Sequence, residues 1–284
     1  EQKGFGYFAK GKTFEEDHHK HWPNGGGTLY LYPIPDAPAK DYVFPVSGNI
    51  ASVEDFKKIQ LNPSGNYTLT ANLDFSNVKA TKPDDYFVNT TFKGTLNGNG
   101  HTISGITFGL IKEIGEGATV SNIKLKADFG SKAWKGNQSF YYTYKNALAE
   151  NNRGTVKNCD LTYVMNDCSI AGLQGVCIGG LLYANYGTVD SCDNSITINN
   201  FAYSHNTNFL VQVSSVAVFH WGGTIKNCTV NVNIKNSSVY TDIRCHGIVS
   251  EMESGTIIDN CISNGSVVMK DKGSMGFGGI VNNN

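Results

Sequence analysis

One short phrase recurs through the second half of this chain and restricts what the chain can fold into. A glycine, a threonine and a β-branched residue are followed closely by an Asn-Cys or Ser-Cys pair. The copies are Gly154-Thr155-Val156 with Asn158-Cys159, Gly187-Thr188-Val189 with Ser191-Cys192, Gly223-Thr224-Ile225 with Asn227-Cys228, and Gly255-Thr256-Ile257 with Asn260-Cys261. A degenerate first copy runs Gly117-Ala118-Thr119-Val120 with Asn122-Ile123. Successive threonines lie 36, 33, 36 and 32 residues apart. A unit of that length cannot bury its own apolar face, so the copies must stack into a solenoid.

Each copy divides in the same way. A first strand carries small and apolar residues, as in Gly179-Gly180-Leu181-Leu182, Ser215-Val216-Ala217-Val218 and Gly247-Ile248-Val249. The strand after the anchor alternates, as in Thr229-Val230-Asn231-Val232-Asn233-Ile234. A period of two means that one face is buried. Stacking sets Val on Val, Asn on Asn and Cys on Cys about 4.8 Å apart. The fold expected is all-β, a parallel β-helix, right-handed by the usual chirality of parallel connections.

The β pattern starts at Tyr67, and Phe92, Leu96, Ile103 and Ile106 are its apolar positions around the turn-forming Gly98-Asn99-Gly100. Residues 1–51 read as an irregular N-terminal lead-in, holding Gly25-Gly26-Gly27 and five of the seven prolines. Residues 52–284 read as the β-helix, open at its C-terminal end. One helix is expected, over 52–60. Ser52 caps it, Asp55 takes the capping-box position, and Phe56 and Ile59 share a face that covers the core. The last residues, Gly278 to Asn284, stop inside a coil. Further repeats of a parent chain, or another surface, are expected over that end, because an open coil presents unpaired backbone groups.

The seven cysteines contain no C-x-x-C pair, which argues against a structural metal site. Cys159, Cys192, Cys228 and Cys261 share one repeat position, beside Asn158, Asn227 and Asn260, and form a ladder of small buried thiols. Disulfide pairing in an oxidising compartment is the alternative. Cys177 and Cys245 share a second position, each ten residues before an anchor glycine, and Cys168 stands alone.

Charged residues make up only 17% of the chain, and Asn, Thr, Ser and Gly face solvent instead, the habit of secreted β-rich proteins. Net charge is −1 with two arginines, Arg153 and Arg244, so no phosphate-neutralising face exists and nucleic acid is excluded as a partner. The same scarcity weakens a uronate lyase reading. No apolar run is long enough to span a bilayer. Sequons occur at Asn66, Asn89, Asn137, Asn227, Asn236 and Asn264, candidates for glycosylation in a eukaryotic source.

Four constellations are candidates for chemistry. His18, His19 and His21 form the densest ligand cluster, but a solvated loop accounts for them better than a metal site. Gly98-Asn99-Gly100 lacks the spacing of a dinucleotide fingerprint and is turn chemistry. His205, His220 and His246 lie in successive repeats near Asp242, Glu251 and Glu253, yet no two carboxylates are expected in stacked register for acid–base work. The aromatics outside the core, Tyr183, Tyr186, Tyr203, Phe219, Trp221 and Tyr240 among them, suit stacking on sugar rings, although packing against the helix wall explains many of them.

The segment from Asp55-Phe56 through Asn62-Pro63-Ser64-Gly65-Asn66-Tyr67-Thr68-Leu69-Thr70-Ala71-Asn72-Leu73-Asp74-Phe75, followed by Phe92-Lys93-Gly94-Thr95-Leu96-Asn97-Gly98-Asn99-Gly100-His101-Thr102-Ile103, resembles the opening of GLUG-type β-helices. Such regions occur in bacterial surface adhesins and in the non-catalytic N-terminal parts of immunoglobulin A1 protease-like zinc metallopeptidases. The resemblance spans roughly residues 52–284 and implies the fold; it carries over no activity. The His-Glu-x-x-His motif of a zinc peptidase is absent from the sequence. The expected function is a secreted or cell-surface structural or adhesive module without a cofactor. Its expected partners are a second copy head to tail, further repeats of its parent chain, a glycan or a host surface protein. Head-to-tail growth into a filament would use Gly4-Phe5-Gly6, which is similar to Gly276-Phe277-Gly278. Carbohydrate binding is the alternative, and polysaccharide degradation a third.

Overall fold

The computed structural model describes residues 5–6, 32–33, 47–79, 86–129, 142–171, 175–204, 211–239, 243–269 and 275–280. His18, His19, His21, Asn137, His205, Tyr240 and Asp242 lie outside them. The chain divides into two compact units, Glu1–Phe44 and Pro45–Asn284. In the first, strand Phe5–Gly6 pairs antiparallel with Tyr32–Pro33. The second is a solenoid of three parallel sheets, with eight, nine and nine strands. It begins earlier than the sequence suggests. Strand Ser47–Ile50 pairs in parallel with Asn66–Leu69, so the boundary falls near Pro45 and not after residue 51.

Each coil passes through the sheets in turn, and several coils enter the second or third sheet as two strands. The Gly-Thr anchors build the first sheet, through Thr95–Asn97, Thr119–Ser121, Thr155–Lys157, Thr188–Asp190 and Thr224–Lys226. Its inward column is Tyr67, Leu96, Val120, Val156, Val189, Ile225 and Ile258, paired coil by coil. The alternating strands build the second sheet, with Leu73, Ile103, Leu125 and Leu161 in one inward column. The small-residue strands build the third. The four apolar positions read from 92–106 are all buried.

A single residue turns the chain from the first sheet into the second. That residue is left-handed in successive coils: Asn122 at φ 58, Asn158 at 51, Ser191 at 54, Asn227 at 53 and Asn260 at 47. Asparagine tolerates this region where branched residues do not. The corner stays hydrogen-bonded along its backbone, since Asn122, Asn158, Ser191 and Asn227 each donate N–H to a carbonyl of the following coil, at 3.0 to 3.1 Å. The side chains make a second ladder. Asn122 Nδ2 donates to Asn97 Oδ1 and Asn158 Nδ2 to Asn122 Oδ1, both at 3.0 Å. Asn260 Nδ2 donates to Asn227 Oδ1 at 2.9 Å. Ser191 interrupts the series, and Asn227 Nδ2 turns to Asp190 Oδ1 at 2.9 Å.

Cysteines follow Asn158, Ser191, Asn227 and Asn260 in one column of the corner, and none of the seven thiols is joined in a disulfide. Cys159 N–H meets Cys192 Sγ at 3.4 Å, and Cys228 N–H meets Cys261 Sγ at 3.4 Å. Each of these thiols also donates to the carbonyl two residues earlier, as Cys228 does to Lys226 at 3.2 Å. Burial pushes the Cys159 thiol up to about 12, and contact with Cys192 followed by burial does the same for Cys228. Thiols so placed stay protonated and inert.

The anchor glycines are set by coil spacing. A Cβ on Gly154 would come within 2.4 Å of the Ala118 carbonyl oxygen, and one on Gly223 within 2.0 Å of that of Gly187. The path into the anchor lengthens by one residue per coil. Tyr186, Trp221 and Glu253 donate to consecutive residues of one column, Asn152, Asn185 and His220. Thr188, Thr224 and Ile257 then pair in register. The intervening residues number one (Gly187), two (Gly222-Gly223) and three (Ser254-Gly255-Thr256). The last anchor therefore pairs through Ile257, not Thr256. For the same reason Cys177 and Cys245 do not share a column: Cys177 pairs with Gln212, and Cys245 with Val213.

At the N-terminal side the helix Val53–Lys57 runs on as a 3-10 turn, Lys58–Leu61. Ser52 Oγ accepts from Asp55 N–H at 3.1 Å, and Asp55 Oδ2 accepts from Ala51 N–H at 3.2 Å. Bonds from Lys58, Ser52 and Ala51 hold the Asp55 carboxyl down at about 2. Phe56 and Ile59 are fully buried, and the Phe56 ring meets Phe75 edge-on at 5.6 Å.

Ser191→Asn should complete the interrupted ladder. An added amide bond and a residue better suited to the left-handed region are together worth about 1 kcal/mol. A rise in thermal midpoint of about 2–4 °C follows. An unchanged or lower midpoint in a calorimetric scan would show that the corner ladder adds nothing.

Candidate functional site

The third sheet places one outward column just before the anchors. It carries Arg153, Tyr186, Trp221 and Glu253 on consecutive coils, since their N–H groups donate to Ile114, Asn152, Asn185 and His220. Phe219 lies two residues before Trp221, and two residues apart on a strand means the same face. The rings touch in series. Tyr183 meets Phe219 edge-on with centroids 5.3 Å apart, Phe219 stacks on Trp221 at 4.6 Å, and Trp221 meets Tyr186 at 5.7 Å. The Arg153 guanidinium lies over the Tyr186 ring, 4.2 Å from its centroid, with its Nε 3.8 Å from Glu113 Oε1. The result is a continuous strip of four rings with a cation at one end. Trp221 remains 39% exposed, and Tyr183, Tyr186 and Phe219 are half-buried.

Beneath the strip lies a buried polar column. Asn152, Asn185 and His220 occupy the inward position of consecutive coils and are fully buried. Asn152 Nδ2 donates to Asn185 Oδ1 at 2.7 Å and to the Thr188 carbonyl at 3.2 Å. Asn185 Nδ2 lies 3.2 Å from His220 Nδ1, and His220 Nε2 lies 3.1 Å from the Ile257 carbonyl. An amide N–H beside Nδ1 and a carbonyl beside Nε2 select the neutral tautomer protonated at Nε2. These bonds tie the strand under the strip to the anchors on the next coils. They hold the column Arg153–Tyr186–Trp221 in step.

The aromatics singled out from the sequence therefore separate. Tyr183, Tyr186 and Trp221 come together, joined by Phe219. Tyr203 lies in strand Ala202–Ser204, which pairs with Ser169–Ala171 and extends the second sheet. Arg153 was not among the candidates. Its register with Tyr186 and Trp221 appears only when the coils are aligned by the hydrogen bonds between them, because the distance to the anchor threonine grows from two residues to three at Trp221.

His220 and His246 do not form a shared site. His220 sits in the buried ladder. His246 pairs with Ser214 on the other limb of the third sheet, is 1% exposed, and has no protein partner on either ring nitrogen. Gln212 Nε2 reaches Glu251 Oε1 at 2.7 Å, and Cys177 Sγ reaches Gln212 Oε1 at 3.4 Å. One carboxylate pair does stack on adjacent coils, contrary to the sequence reading. Asp193 N–H donates to Asp160 Oδ1 at 3.3 Å, just before the paired residues Leu161 and Asn194. Among the described residues no three or more His, Cys, Asp or Glu side chains are grouped to hold a metal ion. No helix of the described residues is long and apolar enough to cross a membrane. Of the sequons, Asn66, Asn89, Asn227 and Asn264 are exposed, and Asn227 is engaged in the corner ladder. Asn236 falls within strand Thr229–Val239.

The comparisons with known proteins agree with the resemblance read from the sequence. Residues 51–132 match the family described as M26 IgA1-specific Metallo-endopeptidase N-terminal region. That region is distinct from the family's catalytic part. Among solved structures the chain is similar to one named IgA1 Protease, at 16% identity and a TM-score of 0.49, covering 89% of this chain and 22% of that one. It is also similar to a Bacteroides ovatus protein provisionally described as an immunoglobulin A1 protease, at 12% identity and a TM-score of 0.41, covering 82% and 83%. The chain thus spans under a quarter of the first structure's length. No curated protein matches it.

Burial lowers the pKa of His220, and burial followed by the charge of Arg244 lowers that of His246. Folded values below the unfolded value of about 6.5 make the unfolded chain the better proton acceptor. Stability is then complete above about pH 6.5 and falls as the pH drops below it. Thermal midpoints measured between pH 7.5 and 5 should decline. His220→Asn keeps amide donors and acceptors in the column and should flatten part of that decline. An identical pH profile in the variant would mean that the buried imidazole does not titrate on unfolding.

Proposed function

We propose that this chain is an extracellular, non-catalytic recognition module, a rigid β-helix that presents the aromatic strip of its third sheet to a glycan on a cell or host surface. The observation that carries the reading is the strip itself. Four rings in serial contact are held outward on two consecutive coils. Trp221 in the middle keeps more than a third of its surface exposed. Exposed, pre-ordered rings cost little entropy to engage and fit the apolar faces of sugars. The match of residues 51–132 to the N-terminal region of a peptidase family specific for immunoglobulin A1 supports a location outside the cell. Low charge and abundant Asn and Thr suit the same environment.

A second reading, self-association, draws on the last described coil. Ile257, Ile262 and Val268 occupy outward columns that hold Thr224, Thr229 and Lys235 one coil earlier. They are 53%, 57% and 56% exposed. Apolar residues in outward columns favour contact with another protein surface, such as a second copy.

Each reading has its own experiment on the purified chain. Glycan-array binding of the wild type should be lost in Trp221→Ala, while a cooperative thermal melt shows that the variant remains folded at the assay temperature. Equal binding by both proteins, or none by either, removes the strip as the recognition surface. Negative-stain images over a concentration series address the second reading. Filaments that shorten in Ile262→Asp support it, and monodisperse rods at every concentration overturn it.

A further inference from the structure

We infer that the ligand of the strip is an acidic oligosaccharide, with one sugar carboxylate held by Arg153 and the adjoining sugar rings laid along Tyr186 and Trp221. The inference rests on the recognition role proposed above and names the chemistry of its ligand. Arg153 is one of two arginines in 284 residues, and it stands in the same column as the two rings. Its guanidinium lies over the Tyr186 ring, 4.2 Å from the centroid, a contact that restrains it before any ligand arrives. The Glu113 contact at 3.8 Å is long, engages Nε, and joins two side chains that are 46% and 31% exposed. A pair that loose is worth little and exchanges readily for a bidentate carboxylate from a ligand.

The column also has polarity. Beyond Trp221 the next coil carries Glu253, and Phe219 pairs with Glu251. Two carboxylates at that end repel an anion, so the acidic group of the ligand belongs at the Arg153 end and neutral sugars at the other. Spacing favours a glycan over an acidic peptide. Neighbouring coils are about 4.8 Å apart, close to the length of one pyranose unit, whereas an extended peptide advances about 3.4 Å per residue and falls out of step. Hydroxyl partners stand alongside, because Thr155, Thr188 and Thr224 pair in register on the far side of the anchor glycines.

Titration calorimetry with three probes tests this: an oligomer of galacturonic acid, the matching neutral galactose oligomer, and a glutamate oligomer of equal charge. The acidic sugar should bind best, and more weakly as salt rises. Arg153→Gln should weaken it about tenfold or more, as expected for hydrogen bonds to a charged group, while leaving the neutral sugar unchanged. Arg153→Lys should recover only part of the loss, and Lys126→Gln, an exposed change on the second sheet, should bind like the wild type. Thermal melts of each variant confirm that the fold is kept. Equal affinity for the acidic and neutral sugars, insensitive to Arg153→Gln, overturns the acidic assignment but leaves the recognition role standing. Preference for the glutamate oligomer overturns the glycan class. Absence of binding to every probe overturns both this inference and the role on which it rests.

Discussion

The structure depends on one residue per coil that enters the left-handed region without breaking the hydrogen bonding between coils. Asn122, Asn158, Ser191, Asn227 and Asn260 turn the chain from the first sheet into the second in a single step. Because the step is so short, the first strand after it begins in the same register in every coil. Inward columns then stay inward over the full length of the solenoid. A corner closed by a longer, variable loop would let register drift, and a slip of one residue would turn an entire apolar column to solvent. The free thiols one residue later fit the same requirement. They are small enough to stack at coil spacing, and each satisfies a backbone group at the corner.

The opposite corner, where the third sheet passes into the first, is built on other terms. Its length grows from one residue to two to three over the last coils, and glycine absorbs the growth, with Gly223 at φ 72 and Gly255 at φ 86. Register survives because the buried column Asn152–Asn185–His220 clamps the strand before this corner to the anchors beyond it. A buried polar ladder is costly unless every member is paired. Here the amides and the imidazole bond to one another and to main-chain carbonyls in the anchor turns. The rigidity they create is what an outward aromatic column needs, since rings on a shifting loop would not stay aligned from coil to coil.

That coupling joins the fold to the proposed role. The strip owes its order to contacts below it and to ring-on-ring contacts within it, worth about 0.5–1.5 kcal/mol for each aromatic pair. It needs no cavity. A solenoid wall offers a long, evenly spaced surface, which suits the proposed ligand, a polymer whose own repeat keeps pace with the coils.

The repeat phrase by itself determined the architecture. A Gly-Thr anchor and an Asn-Cys pair at a near-constant interval leave no way to bury Val156, Val189 and Ile225 except on one another. Ser52 with Asp55 likewise specified the cap of the one helix. Both signals are local or strictly periodic, so they are written in the order of the residues. The anchor threonines, however, could not reveal that the last coil pairs through Ile257, or that Cys177 and Cys245 part company. An inserted residue is invisible until neighbouring strands are paired. Tertiary structure alone decided the site. Arg153, Tyr186 and Trp221 are separated by 33 and 35 residues in the chain and become neighbours only through the hydrogen bonds between coils. Tyr203, equally aromatic in the sequence, goes to another sheet. Composition says which side chains can stack on a ligand, but register between coils decides which of them meet.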